Sequence, residues 1–353
     1  MYPPFRGASG VANSRRLLAL MAHTTIRDVA RAAKVSIATV SRALNGHSNV
    51  RDAVREHVQS VAAALGYVPH TGARSLSLAR TNAIGVMLPD LHGEFYSEAL
   101  RGIDGEASAR GLQLLLSNMH ADQRGAETLR FMRGRVDALI IMAPDIEPER
   151  LLAHLPASLP TVLISCPDVA ADHPQFRIDN ATAAEAMVEH LVASGRQRIV
   201  HLSGPRGNRD AEERIAGYCN AMARHGLAPR ILTGNFDEES GTATAHQLIG
   251  ENPRAEALFA ANDMMAIGAL VAFQRAGLAI PGDIAVAGFD DIPLARLVTP
   301  ALTTMRVGIA EIGAEAVSRV AAILGGGEDT EIRRVVPQII PRGSTIAERG
   351  QFR

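Results

Sequence analysis

The chain has 353 residues, of which 47% are hydrophobic and 21% charged, with no Trp and a formal net charge of −1. That length is two domains, or one large domain with an appendage, and the composition is too apolar for a disordered protein. Cys166 and Cys219 are too few for a disulfide scaffold or a cysteine-based zinc module, and no apolar run approaches the ~18 residues of a membrane span.

The near-neutral total hides an asymmetry. Residues 1–21 carry +3, residues 22–80 carry +5 and residues 81–353 carry −9. A small basic unit joined to an acidic body points to a polyanion as partner of the basic part.

Residues 1–22, with Pro3, Pro4 and several Gly and Ser, show no sustained periodicity and are expected to be a disordered extension. Ser14-Arg15-Arg16-Leu17-Leu18 has the look of a twin-arginine export signal, but the apolar run behind it is shorter than the ~7–15 residues such a signal needs. Met21 is a candidate start of translation. A helix-turn-helix domain is expected over residues 23–69. Ile26, Val29, Ala30 and Ala33 trace one helix face, with Thr25 as cap and Asp28 facing the free amides. After Lys34-Val35, Ser36 caps a second helix, Ile37 to Leu44, ending at Asn45-Gly46. A third helix follows from Asp52, read as its cap, to Leu65, with Val54, Val58, Val61, Ala62 and Leu65 inward and Gly66 as its stop.

In a tri-helical DNA-binding unit the N-terminal end of the second helix enters the major groove. Ile37 and Ala38 stand there, and their apolar side chains suit a thymine methyl. Thr39, Ser41 and Asn49 can hydrogen-bond phosphates or bases, and Arg42 can reach a guanine edge or a phosphate.

After Arg80 the texture changes. Apolar runs of strand length at Ala83–Leu88, Leu112–Leu116, Ala138–Met142, Val162–Ile164, Ile199–Leu202, Ala257–Ala261 and Ile284–Gly288 alternate with helical patterns. The pattern predicts an α/β body of parallel sheets covered on both faces, in two lobes. Ligands of such sheets bind outside the carboxyl ends of the strands. Asp90, Asn118, Asn262 and Asp290 stand at those ends near Phe95, Tyr96, Phe236 and Phe289, with Arg214 placed at a helix start. Each polar residue alone would serve as a helix cap. Together, polar groups that grip hydroxyls and aromatic faces that stack on a ring are what a sugar pocket requires.

The run from Thr25 to Gly46, Leu65-Gly-Tyr-Val-Pro69 and Ala73-Arg-Ser-Leu76 resemble the opening of LacI/GalR-family regulators, matching in type and spacing over some fifty positions. Leu202-Ser-Gly-Pro205, Arg214-Ile-Ala-Gly217, Ala261-Asn-Asp263, Gly288-Phe-Asp-Asp291 and Thr299-Pro-Ala-Leu-Thr-Thr304 extend the resemblance to a periplasmic-binding-protein-like body. It implies Ile37 and Ala38 as the main base readers. It also implies a hinge helix at 70–77 whose Leu76 wedges into the minor groove. The DNA-contacting set is then Thr25, Ser36, Ile37, Ala38, Thr39, Ser41, Arg42, Asn45, Asn49, Ala73 and Leu76. The effector set is Asp90, Phe95, Asp210, Arg214, Phe236, Asn262 and Asp290. His70 and Gly72 depart from the family's usual Asn and Ala, and Gly within a helix costs ~1 kcal/mol relative to Ala.

The implied organisation is a hinge and linker at 70–81 and an effector-binding and dimerisation domain at 82–343. Its N-lobe is about 82–178 and 308–336, its C-lobe about 179–307 and 337–343, and 344–353 form a tail. The implied function is a cytoplasmic, sequence-specific transcriptional regulator, expected to be a repressor. It would bind operator DNA as a homodimer under control of a sugar or sugar derivative, with no membrane partner. No heptad tail for a tetramer follows the last strand. The alternative, a periplasmic-type solute-binding protein, calls for an export signal and no helix-turn-helix. An enzyme is not expected, because no phosphate loop or nucleophile motif is present. His120 and His154 are isolated, and His201 reads as a core or wall residue. No cofactor or metal is implied.

Overall fold

A computed structural model describes residues 24–45, 49–67, 80–89, 93–119, 123–156, 159–166, 173–251 and 254–346. The chain divides into two compact units, residues 1–81 and 82–353. The proposed hinge at 70–77, with Ala73 and Leu76, lies outside the described residues, as does Asp90.

The first unit holds α1 (Ile26–Ala33), α2 (Ile37–Leu44) and α3 (Asp52–Ala64). Its core is Val29, Ala30, Ala33, Val40, Ala43, Val50, Val58 and Ala62, with Ile26, Val54 and Val61 packed at the margin. Leu65, expected inside, is 40% exposed, because the helix ends before it and the chain turns at Gly66 with φ +60°. Asp28 ties down the start of α1 by accepting from the amide (3.0 Å) and the hydroxyl (2.7 Å) of Thr25. Ser36 caps α2, its Oγ accepting from the amide of Thr39 at 3.1 Å. Ser36→Ala is expected to cost the unit about 1 kcal/mol, lowering its melting midpoint by about 4–8 °C for a domain this small. Circular dichroism of the full chain against temperature checks this. The expected cap at Asp52 does not form. Arg51 holds the cap position without a side-chain bond, having no acceptor to offer, and Asp52 accepts from Arg55 within the first turn.

The second unit carries β1 (Ala83–Leu88), α4 (Glu94–Ala109), β2 (Gln113–Asn118), α5 (Gln123–Met132), β3 (Ala138–Met142), α6 (Pro148–His154), β4 (Thr161–Ile164), β5 (Gln175–Ile178) and α7 (Asn180–Ala193). It continues with β6 (Ile199–Ser203), α8 (Arg209–Arg224), β7 (Arg230–Thr233), α9 (Glu238–Ile249), β8 (Ala257–Ala260), α10 (Asp263–Arg275) and β9 (Ala285–Ala287). A 3-10 turn (Pro293–Arg296), β10 (Thr304–Arg306), α11 (Ile309–Leu324), β11 (Ile332–Val335) and β12 (Gln338–Ile340) complete it.

One lobe is built on a six-stranded sheet in the order β11-β5-β4-β3-β1-β2, the other on a four-stranded sheet in the order β7-β6-β8-β9, and every pairing in both is parallel. Parallel strands buried on both faces need apolar side chains on both sides. Ile84, Val86 and Leu88 accordingly face Ala99, Ile103 and Val317, while Met87, Leu139 and Ile141 face Leu129, Met132 and Leu151. The chain passes between lobes after Ile178, again around Val307, and again between Val335 and Gln338, with β10 and β12 pairing antiparallel. That pair departs from the all-parallel expectation. Two crossover segments running in opposite directions can bond only in that sense.

Helix pairs in each lobe meet backbone to backbone. A methyl group on Gly102 of α4 would overlap the carbonyl of Ala310 in α11, and one on Gly241 of α9 would overlap that of Met265 in α10. The packed chain also runs past residue 343, correcting the expected tail. Ser344 and Thr345 are buried. The Ser344 hydroxyl accepts from the Thr303 amide at 2.8 Å and donates to the Val286 carbonyl, and Thr345 Oγ1 meets Thr303 Oγ1 at 2.7 Å and His190 Nε2 at 2.8 Å. Two small hydroxyl residues give no apolar signal, so the sequence hides this docking.

Candidate functional site

In the first unit, α2 presents Ile37 (46% exposed), Ala38 and Arg42 to solvent while Val40 and Ala43 fill the core. An apolar Ile at a helix tip with no packing duty is available to a partner surface. Asn49 is exposed. The other polar candidates are engaged locally. The hydroxyls of Ser36 and Thr39 lie 2.8 Å apart, Asn45 Nδ2 donates to Ser41 Oγ at 3.4 Å, and Thr25 is bound to Asp28. A hydroxyl with one bond made keeps acceptor capacity for a further partner.

In the second unit a cavity of about 480 Å³ opens between the two lobes. One lobe supplies Phe95 and Tyr96 from α4 and Met142 and Asp145 from the end of β3. The other supplies Asp210 and Arg214 from α8, Phe236 ahead of α9, Asn262 at the cap of α10, and Asp290 and Ile292 beyond β9. Six of the seven proposed effector residues therefore share one wall system, and the seventh is Asp90.

Arg214 is the centre of the wall. It lies in the second turn of α8, not at a helix start. The helix begins five residues earlier, where Asn208 Oδ1 accepts from the Ala211 amide at 3.0 Å. Its guanidinium stacks on Phe289 at 3.8 Å, its Nε donates to Asn180 Oδ1 at 2.9 Å, and its Nη1 donates to the Ala261 carbonyl. Asn180, wholly buried, donates in turn to Asp210 Oδ1 at 2.9 Å. One amide thus fixes a cation and a carboxylate at once. Asn262 does two jobs as well, capping α10 through the Met265 amide (3.0 Å) and donating to the Phe236 carbonyl (2.8 Å). Phe236 sits at φ +64°, and the Asn262 bond pins that strained loop with its ring at the cavity.

Burial pushes the Asp290 carboxyl up to about 7, with Arg214 opposing and Asp210 adding to the rise. Burial likewise raises Asp210 against the pull of Arg214, and raises Asp145 against its bond from Asn208. Behind them, Asp263 is raised well above the usual range by burial and by neighbouring Asp290. It accepts from the Ile292 amide at 2.9 Å. His201 is fully buried and neutral, held down to about 4 by burial, with Nδ1 at 2.9 Å from the Phe259 carbonyl. It is a core residue.

The Asp290 shift has a stability consequence. Its folded-state pKa lies above the unfolded value, so between about pH 4 and 7 the native state keeps a proton that the unfolded state releases. Stability falls as pH rises through that window and is level above it. Asp290→Asn removes the titration, so the variant should gain on the parent as pH rises from 5 to 8, by about 3 kcal/mol at the top. Urea unfolding at the two pH values reads it, and an equal difference at both would refute the assignment.

Asp291 ties this wall to the crossover strands, accepting from Arg306 Nε at 2.6 Å and Arg342 Nη2 at 2.5 Å. Asp145, Asn208, Asn235 and Asp237 also line the cavity and were not anticipated. Asp145 stands one turn past the end of β3. The strand-end rule that singled out the tips of β1, β8 and β9 would have found it. Across the cleft, Asn208 Nδ2 donates to Asp145 Oδ1 at 2.6 Å. Asn118, proposed at a strand tip, is absent from the wall.

Residues 25–70 match the pattern of the bacterial regulatory proteins of the lacI family, and residues 188–345 match the periplasmic binding protein-like domain. The Ribose operon repressor of Escherichia coli K12 is 35% identical over 297 residues, covering 82% of this chain and 89% of that protein. The chain belongs to the LacI family. This LacI-family protein is a DNA-binding transcriptional regulator and not an enzyme. It is also 32% identical to the HTH-type transcriptional regulator GalR of the same organism, over 92% of this chain and 96% of that one. The Lac repressor dimer bound to operator and the anti-inducer ONPF superposes with a TM-score of 0.82 at 28% identity, covering 92% of this regulator and 99% of that chain. The solute-binding alternative is not favoured, since the regulator has the family's DNA-binding head. Among the described residues no helix is long and apolar enough to cross a membrane.

Proposed function

We propose that this regulator is a cytoplasmic repressor that binds a pseudo-palindromic operator as a homodimer and is controlled by a sugar or sugar derivative held between its two lobes. The observation that carries the reading is the inter-lobe cavity itself, where Arg214, Asp210, Asn262 and Asp290 converge beside Phe95 and Phe236. Carboxylates and amides grip hydroxyls in pairs, and aromatic rings cover the apolar face of a sugar ring. The proposed DNA readers are Ile37, Ala38 and Arg42, which α2 offers to solvent. The Lac repressor relative was captured as a dimer on operator, and a further relative, CelR, in complex with cellobiose. Self-association is supported by β2, an edge strand of the larger sheet on which Leu116 is 43% exposed.

The test is a thermal-shift screen of sugars followed by an operator gel shift with any hit. A ligand of the folded state raises the melting temperature whatever it does to DNA binding. Stabilisation by a carbohydrate together with a change in operator affinity is expected. A panel that stabilises nothing would overturn the sugar reading.

A further inference from the structure

We propose that the effector is an uncharged polyhydroxy compound and that the cavity rejects its phosphorylated or otherwise anionic form. This rests on the sugar reading of the same site and narrows it. Two independent features carry it.

The first is the charge of the wall. Glu94, Asp145, Asp210, Asp237, Glu238 and Asp290 line the cavity, and Arg214 is the one cation among the described lining residues. That cation is partly committed. Asn180 and the Ala261 carbonyl take its Nε and Nη1, and its flat face lies on Phe289. A phosphate monoester brings a charge of about −1.5 to −2 at neutral pH. It would meet several acidic side chains with a single guanidinium, already bonded through Nε and Nη1, to set against them.

The second is the state of the helix ends. A helix N-terminus is the usual protein seat for a phosphate, through its free amides and positive dipole end. Four helices bring that end to this cavity, since Glu94 of α4, Asn208 and Asp210 of α8, Asp237 and Glu238 of α9, and Asn262 of α10 all line it. Three of the four are capped by a side chain from within the chain, and the fourth, α4, starts at Gly93 with Glu94 as its first residue. Asn208 Oδ1 takes the Ala211 amide at 3.0 Å, Asp237 Oδ1 the Ser240 amide at 2.8 Å, and Asn262 Oδ1 the Met265 amide at 3.0 Å. Acids occupy the first turn of all four: Glu94, Asp210 with Glu212, Glu238 with Glu239, and Asp263. The fold's ready-made anion sites are thus occupied by side-chain caps at three helices and opposed by an acid in the first turn of all four.

Neutral hydroxyls fit the same wall. They donate to Asp145, Asp210 and Asp290 and accept from the guanidinium, while Tyr96, Phe236 and Ile292 cover apolar ring faces. The pool this regulator reads is then the one that precedes a phosphoryl-transfer step.

The test titrates the full-length protein calorimetrically with ribose, glucose and galactose, and with ribose 5-phosphate, glucose 6-phosphate, galactose 1-phosphate and inorganic phosphate. At least one free sugar is expected to bind, with its ester at least about tenfold weaker. The gap should shrink as NaCl is raised, because screening weakens charge repulsion and leaves steric exclusion untouched. It should also shrink in a Glu94→Gln/Glu238→Gln double variant, whose circular-dichroism spectrum and thermal unfolding midpoint report that the fold is intact. An ester that binds as well as its parent sugar overturns the proposal and leaves the sugar reading standing. A gap unmoved by both salt and the double variant overturns the electrostatic exclusion. If neither sugars nor esters bind, the sugar reading falls and takes this proposal with it.

Discussion

Arg214→Ala is expected to remove effector binding and to destabilise the body by about 3–5 kcal/mol, the usual cost of stripping a buried charge of its partner. Arg214 is 3% exposed and ties together Asn180, the Ala261 carbonyl and the Phe289 ring. Without it the oxygen of Asn180 and the carbonyl of Ala261 lose their donor, at roughly 1–3 kcal/mol for each buried group left unpaired. Asp210 and Asp290 lose the charge that opposes their burial. Those carboxyls can respond by holding their protons, so the loss should be smaller at pH 5.5 than at pH 8. Arg214→Lys keeps the charge but not the fork or the flat face over Phe289, and should recover part of the stability and little of the binding. Urea unfolding at both pH values and calorimetry with a sugar from the screen measure these effects. An alanine variant with parental affinity would show that the cavity is not the effector site.

The second large effect lies in the first unit. Arg42→Ala is expected to cost operator binding about 1–3 kcal/mol per head, and a homodimer places two heads on its site. The combined loss is then about 30-fold to 10⁴-fold in affinity. The kind of contact is separable. If Arg42 reads a guanine edge, the variant loses discrimination at one operator position. If it holds a phosphate, it binds all sequences more weakly and the salt slope falls by about 1 per head. Arg31→Ala is the control, since that side chain is paired with Asp28 on the first helix. Gel shifts at several salt concentrations read all three. Parental affinity in Arg42→Ala would remove α2 as the reading helix.

The head was legible because its apolar residues recur at helical spacing and its caps are Thr25-x-x-Asp28 and Ser36, signals that are local. The buried strands were legible as unbroken apolar runs such as Ala138-Leu-Ile-Ile-Met142. The strands that were not legible carry charge or lie at edges. Arg230-Ile-Leu-Thr233 and Ile332-Arg-Arg-Val335 each form the outermost strand of a sheet and bury little. Their structure is imposed by the neighbouring strand and not by their own composition. The same division holds in the cavity. Asp290 and Asn262 announce themselves at strand ends. Asn180 sits one residue into a helix, 34 positions from Arg214, and becomes a hub only when α7 and α8 are packed together. Its role is a tertiary fact.

The glycine seams have a consequence for how this regulator can be changed. Gly102 against Ala310 and Gly241 against Met265 lock their helix pairs at distances that no larger residue tolerates. Mutation there loosens a whole lobe. The cavity wall is drawn from other positions, namely strand tips, cap residues and the first two turns of helices. Ligand preference can therefore drift by exchange at Phe95, Met142, Phe236, Met264 or Ile292 while the frames that hold them keep their shape. The architecture separates the parts that are free to vary from the parts that are not. That makes the molecule a ready chassis for sensors of other small molecules.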